Sequence, residues 1–246
     1  MSSTNFYQKP AALNRDTHRL LKLDASQGTF LFAAKTNSML LATTELIDAA
    51  ASYPVVFVGN EGGPYTMAAM VGLNNEENLF VNDAGVWDAG SYVPAFVRRY
   101  PFVLSGGDAA DPDLTVCIDE AFPGFNAVTG VPLFDADGKE SALLQGAIDF
   151  LRHFHAEVLA TNAFAERLSA LGLLVPRSLE IERNGKKLVV DGVVMIDADK
   201  LAALDDATVL AMVRNGDMAL AHAHLLSLKQ IPHLAVRLEE RLQAAT

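Results

Sequence analysis

The sequence predicts an α+β protein. A β-rich first half forms an antiparallel or mixed sheet, and a helical second half carries an inserted β-hairpin. Three observations predict this. Short apolar runs broken by turn residues follow one another closely over residues 20–130. Over residues 141–246 the chain is mainly helical, and Leu143, Leu144, Ala147, Ile148, Leu151, Phe154 and Val158 keep the three-and-four spacing of one helix face. Within that half, over residues 178–196, Asn184-Gly185 separates two strand-like runs, as in a two-residue type I′ hairpin. The chain has 246 residues, half of them hydrophobic, enough for a full core. It shows no repeat and no low-complexity linker, so residues 1–246 read as one folding unit.

Each element has a local reason. Residues 1–19 are a polar arm, with Pro10, strapped over the body. Two apolar runs, 20–23 and 29–33, flank Gly28 and suggest a hairpin. Thr43 or Thr44 suits the N-cap of a helix through Ala51, with Glu45 favourable in its first turn. Tyr53-Pro54 stops that helix, because the residue before proline is pushed towards extended geometry. Residues 54–58 are an apolar strand, and Asn60-Glu61-Gly62-Gly63-Pro64 is a loop. Residues 66–73 and 78–81 read as further strands, and Pro94 suits the first turn of a short helix ending near Arg99. Residues 114–118 form another strand, and 131–134 a short extended piece. Residues 141–174 read as two helices meeting near Ala160 and Thr161, with Gly172 near the C-terminus. After the hairpin, Asp191-Gly192 turns the chain again. Asp197 and Asp205 are N-caps, Asn215-Gly216 closes one helix, Asp217 begins the next, and Pro232 precedes a final amphipathic helix.

Charge excludes whole classes of function. There are 19 basic and 30 acidic residues, a net charge of −11, which does not suit nucleic acid or an anionic membrane. One cysteine makes no internal disulfide. The N-terminal residues lack the basic start and apolar stretch of a signal peptide, so the expected compartment is the cytoplasm. The cell surface would need an unconventional export route. The best apolar run, 39–58, contains Glu45, Asp48 and Pro54, so no membrane span is expected.

Motifs for chemistry are few. His153-x-His155 and His222-x-His224 lie in helices, where i and i+2 point about 200° apart, so neither pair clamps one metal. Asp135-Ala136-Asp137-Gly138-Lys139 has its glycine too early for a calcium loop and reads as a turn. Cys117, between Val116 and Ile118, reads as an inert small hydrophobe. Gly59-Asn60-Glu61-Gly62-Gly63 matches neither phosphate-loop pattern, and no Gly-x-Ser-x-Gly elbow exists. Asp119 and Glu120 end a strand, either as paired carboxylates for acid–base work or, the plainer reading, as the start of a solvated loop. The aromatic stretch holding Trp87 and Tyr92, with Arg98 and Arg99, suits a planar or peptide ligand; packing around a short helix is the plainer reading. The ligand-binding candidates are therefore Trp87, Tyr92, Arg98, Arg99, Asp119 and Glu120. No catalytic residue, metal or cofactor is assigned, and no oligomeric state follows.

Several of these stretches together resemble the bacterial SapC family, nearly end to end. They are Glu45-Leu46 before Tyr53-Pro54-Val55-Val56-Phe57; Trp87; the run from Tyr92 through Pro94, Arg98, Arg99 and Pro101 to Phe102; and Cys117-Ile118-Asp119-Glu120. Leu133-Phe134 with Gly138, Thr161 with Phe164, Leu173-Leu174 and Ala223-His224-Leu225-Leu226-Ser227-Leu228 continue the match. The resemblance implies an accessory protein with a protein partner, linked to paracrystalline surface layers or other cell-envelope functions. It also implies gene company with flavin-dependent halogenase-like proteins, cupin-like proteins and outer-membrane receptors. That company keeps a second reading open, an enzyme or enzyme partner acting on a peptide or aromatic substrate in a modification pathway. The resemblance brings no catalytic residues. The unrelated peptide-transporter permease of the same name is set aside, since no span is expected.

Overall fold

The computed structural model describes residues 6–59, 63–106, 114–183 and 186–244. Asn60-Glu61-Gly62 of the expected loop and the Asn184-Gly185 turn lie outside them.

The arm contributes a short strand, β1 (Pro10–Ala12), and β2 (Lys22–Leu23) follows. Where a hairpin was expected around Gly28, two 3-10 turns stand instead, Ala25–Gln27 and Leu31–Ala33. Asp24 is the reason for the first: its carboxylate accepts from the Ser26 N–H and hydroxyl at 3.0 and 2.6 Å and closes a local turn. Next come β3 (Ser38–Leu40), a 3-10 turn at Thr43–Glu45, α1 (Leu46–Ala50), β4 (Val55–Gly59) and β5 (Tyr65–Met70). The strand expected at 78–81 is reduced to one bridge, Val81 to Trp87. Asn78 diverts it: its amide donates to the Ala33 carbonyl at 3.0 Å while its oxygen takes the Phe80 N–H at 2.9 Å. The first half closes with α2 (Ala95–Arg98), β6 (Phe102–Ser105), β7 (Thr115–Asp119), β8 (Phe125–Asn126) and β9 (Val131–Pro132).

The second half opens with α3 (Ala142–Ala170), a single helix of 29 residues and so about 43 Å long. No break occurs near Thr161. Its hydroxyl donates one turn back to the Glu157 carbonyl at 2.7 Å and accepts the Thr43 N–H at 2.9 Å, so a residue typical of a cap stays inside the helix. Gly172, at φ +68°, ends α3. The Leu173 N–H bonds Leu168 O and the Gly172 N–H bonds Ser169 O, the two bonds of a Schellman motif.

The hairpin is β10 (Leu174–Arg183) with β11 (Lys186–Ile196). Asp191-Gly192 does not turn the chain. Arg177 faces Val193 and Leu179 faces Val190, so two residues of β11 oppose Ser178 alone, and Gly192 sits at φ +77° in this bulge. Then come α4 (Ala198–Ala202), α5 (Asp206–Asn215), α6 (Asp217–Ser227) and, after a 3-10 turn at Leu228–Gln230, α7 (Ile231–Ala244). Asp197 caps α4 and Asp205 caps α5 through their carboxylates, and Gly216 ends α5 at φ +87°, as the sequence predicts.

The described strands form three antiparallel sheets, in the orders β1-β7-β6, β10-β11-β4-β5-β3 and β8-β2-β9. The strand-rich first half and helix-rich second half make the α+β class. Helix α3 lies along β5, α6 along β4 and β11, and Phe57 meets Phe164 from one and His224 from the other. A large apolar cluster takes residues from both halves. A smaller one gathers Phe102, Ile118, Leu133 and Phe134 against Leu144, Ile148 and Leu151.

Candidate functional site

Three polar assemblies surround the aromatic stretch. The first centres on Glu45, which the sequence marks as a first-turn residue and as part of the family pattern but not as a site residue. Its carboxylate is buried at the head of α1. Oε2 accepts the Ala42 N–H at 3.1 Å; Oε1 accepts the Ala95 N–H at 2.6 Å and the Tyr92 hydroxyl at 2.8 Å. Arg98 donates to the Tyr92 hydroxyl at 3.2 Å and lies 3.6 Å from Oε1, with its guanidinium 5.5 Å from the Phe150 ring. Glu45 thus ties the start of α1 to the start of α2. Burial and the neighbouring Glu45 push the Tyr92 phenol up to about 12.

The second assembly holds the arm. Asp119, fully buried at the end of β7, accepts the backbone N–H groups of Gln8, Lys9 and Ala121 and the Tyr100 hydroxyl, all at 2.8–3.2 Å. Glu120 faces outward, with Lys9 Nζ at 2.7 Å and His18 Nε2 at 3.1 Å, and these hydrogen bonds hold its carboxyl below the usual range. Arg99 stands apart from both carboxylates. Its guanidinium lies 4.2 Å from the Phe96 ring and 5.7 Å from the Phe154 ring, and among the described residues its buried Nε and Nη2 have no hydrogen-bond partner. Burial lowers its pKa.

Trp87 belongs to the third. It is buried, and its indole N–H donates to the Tyr53 hydroxyl at 3.2 Å; that hydroxyl donates to the Tyr92 carbonyl. This chain braces the 87–92 loop, whose outer side forms one wall of an open cleft of about 270 Å³. Asp88, Gly90 and Ser91 line that wall, Ala51 and Ser52 come from the end of α1, and Gln230, His233 and Arg237 come from the opposite side. Arg237 donates to Asp88 Oδ2 at 2.8 Å and lies 4.2 Å over the Phe80 ring. The Ser91 hydroxyl donates to the same oxygen at 2.5 Å. Those two donors, Ser91 foremost, hold the Asp88 carboxyl below its ordinary range.

The six candidates therefore divide. Tyr92 and Arg98 meet at Glu45, Asp119 and Glu120 sit with the arm, Arg99 lies among rings, and Trp87 backs the cleft without lining it. Sequence reasoning passed over Asp88, Ser91, His233 and Arg237. The loop pair carried no motif, and the α7 pair looked like the polar face of an ordinary amphipathic helix. The Asp135 segment is a turn, closed by the Gly138 N–H on Asp135 O at 3.0 Å. Cys117 is half-buried in β7, and burial raises its thiol pKa. Among the described residues no group of three or more His, Cys, Asp or Glu side chains is placed to hold a metal ion. None of the described helices is long and apolar enough to cross a membrane.

A family model described as SapC matches residues 13–234, most of the chain; Gln8 and Lys9 of the arm and Arg237 of the cleft lie outside the matched range. No curated protein and no solved structure matches the chain at a significant level.

Proposed function

We propose, for a chain that belongs to the SapC family, the role of a non-catalytic accessory protein that works by binding a protein partner in surface-layer or cell-envelope functions. The supporting observation is a set of large apolar side chains left open on neighbouring helices. Helix α6 packs between α1 and α5. Ile47 of α1 is 70% exposed, Leu210 and Val213 of α5 are 49% and 57% exposed, and Leu226 of α6 is 58% exposed. Exposed apolar groups that join into one patch mark a contact surface, and the adjacency of these helices supports reading the four side chains that way. The link to the envelope rests on the family resemblance alone.

The test is capture of the untagged protein from its native cells, in parallel with a variant carrying Ile47→Asp and Leu226→Asp. A surface-layer or envelope protein enriched with the wild type and lost with the variant is the expected result. Recovery of the wild-type protein with no partner above background overturns the reading.

The cleft beside the 87–92 loop favours a second reading, an enzyme or enzyme partner acting on a peptide or aromatic substrate in a pathway that includes halogenase-like proteins. Co-purification of such an enzyme instead of an envelope protein would select it.

A further inference from the structure

The hydrogen bonds made inside the cleft determine which ones remain for a ligand. Arg237 uses Nη2 on Asp88; among the described residues its Nε and Nη1 make no hydrogen bond. Among the described residues, Asp88 receives both its donors, Ser91 and Arg237, on Oδ2, and Oδ1 receives none. Ser52 Oγ accepts the Tyr92 N–H at 3.1 Å, and among the described residues its own proton is given to no acceptor.

His233 is fixed by its neighbour. The Gln230 amide nitrogen donates to the Ala51 carbonyl at 3.0 Å and the Ala50 carbonyl at 3.4 Å. Carbonyl oxygens only accept, so the amide is oriented with its own oxygen towards His233 Nδ1, 2.8 Å away. An amide oxygen also only accepts, so Nδ1 carries the proton. In the neutral ring Nε2 then holds a lone pair.

The cleft thus offers N–H groups on a cation and a hydroxyl on one side, and a carboxylate oxygen and an imidazole nitrogen on the other. A simple anion here would meet the charge of Asp88, and a simple cation that of Arg237. A ligand carrying both charges a few bonds apart satisfies both, because it lies head to tail along the ion pair. A volume of about 270 Å³ suits a molecule of single-residue size.

We propose that this cleft is a binding site for a free α-amino-acid zwitterion, with the carboxylate set against Arg237 and Ser52 and the ammonium against Asp88 and His233. The site is independent of the partner surface on α1, α5 and α6.

The experiment uses the full chain and the twenty proteinogenic amino acids, each tested by thermal shift and by calorimetric titration, with the N-acetyl and amide forms of any that bind. At least one amino acid binds saturably, and capping either end weakens it tenfold or more. Asp88→Asn and Arg237→Gln each reduce affinity by a similar factor. Because those two changes break an ion pair, His233→Phe on the exposed side of α7 provides a variant that leaves the pair intact; it also weakens binding, with its melting temperature recorded separately. Binding of none of the twenty, equal binding of capped forms, or undiminished binding by the folded His233→Phe variant overturns the proposal. None of these outcomes bears on partner capture.

Discussion

His224 is the fully buried member of its His-x-His pair. Helical spacing alone separates it from His222, which lies exposed with Nδ1 2.8 Å from Met218 O, and that much was legible in the sequence. What was not legible is the ring's setting, because its partners come from strands distant in sequence. Nε2 accepts the Ile196 N–H at 3.1 Å, Nδ1 is buried with no partner among the described residues, and the Phe57 ring lies 5.2 Å away. Burial pulls its pKa from 6.5 down to about 4. The unfolded chain therefore takes up this proton at higher pH than the folded one. The stabilisation is complete above about pH 6.5, is lost as pH falls towards 4, and declines no further below that. At about 1.4 kcal/mol per pH unit the interval amounts to roughly 3 kcal/mol. Urea unfolding followed from pH 7 to pH 4 checks this, and a His224→Gln variant removes this residue's share of the slope. Asp119 and Glu45 teach the same lesson. Both were visible as acidic residues, yet their roles depend on backbone N–H groups that only the fold delivers.

At the scale of elements, local signals were reliable wherever one residue satisfies its own neighbours. The carboxylate caps at Asp197 and Asp205, the glycine end of α5 and the short α2 behind Pro94 all follow from adjacent residues. The misreadings at Thr161 and Asp191-Gly192 share a cause, since each signal is ambiguous until a partner is known. A threonine inside a helix can bond back to the preceding turn, and an Asp-Gly pair serves a bulge as readily as a turn. The bulge makes a sharp expectation. Gly192 stands at φ +77° with no atom within 4 Å of where a Cβ would project, so the cost of a side chain there comes from the backbone alone. Gly192→Ala should lower stability by about 1 kcal/mol, read as a shift in the urea midpoint without a change in slope. A larger loss accompanied by a changed slope would mean that the hairpin register depends on this residue.

The whole molecule is organised along α3, whose first turns bury Leu144, Ile148 and Leu151 in the smaller cluster while Phe164, Ala165 and Leu168 enter the larger one. A continuous helix rooted in both clusters couples them, and we take the chain to unfold as one unit. Leu151→Ala and Phe164→Ala, one in each cluster, should each cost about 3–5 kcal/mol and leave a single calorimetric transition at lower temperature. Two resolved transitions in either variant would separate the clusters into independent units. The division into a β-rich and a helical half was readable from the change in apolar period, but the spine was not, because Thr161 suggested a break in the middle of it. The arm carries a consequence of a different kind, one of time. Lys9 is separated by 110 residues from the carboxylate that anchors it. At roughly 5–20 residues per second, a ribosome makes the arm on the order of 10 s before it makes Asp119. Throughout that interval Gln8 and Lys9 lack the Asp119 carboxylate that accepts their N–H groups in the finished protein. The newborn chain therefore passes through a dated window in which a chaperone or a binding partner can hold the arm, and the window shuts when β7 is complete.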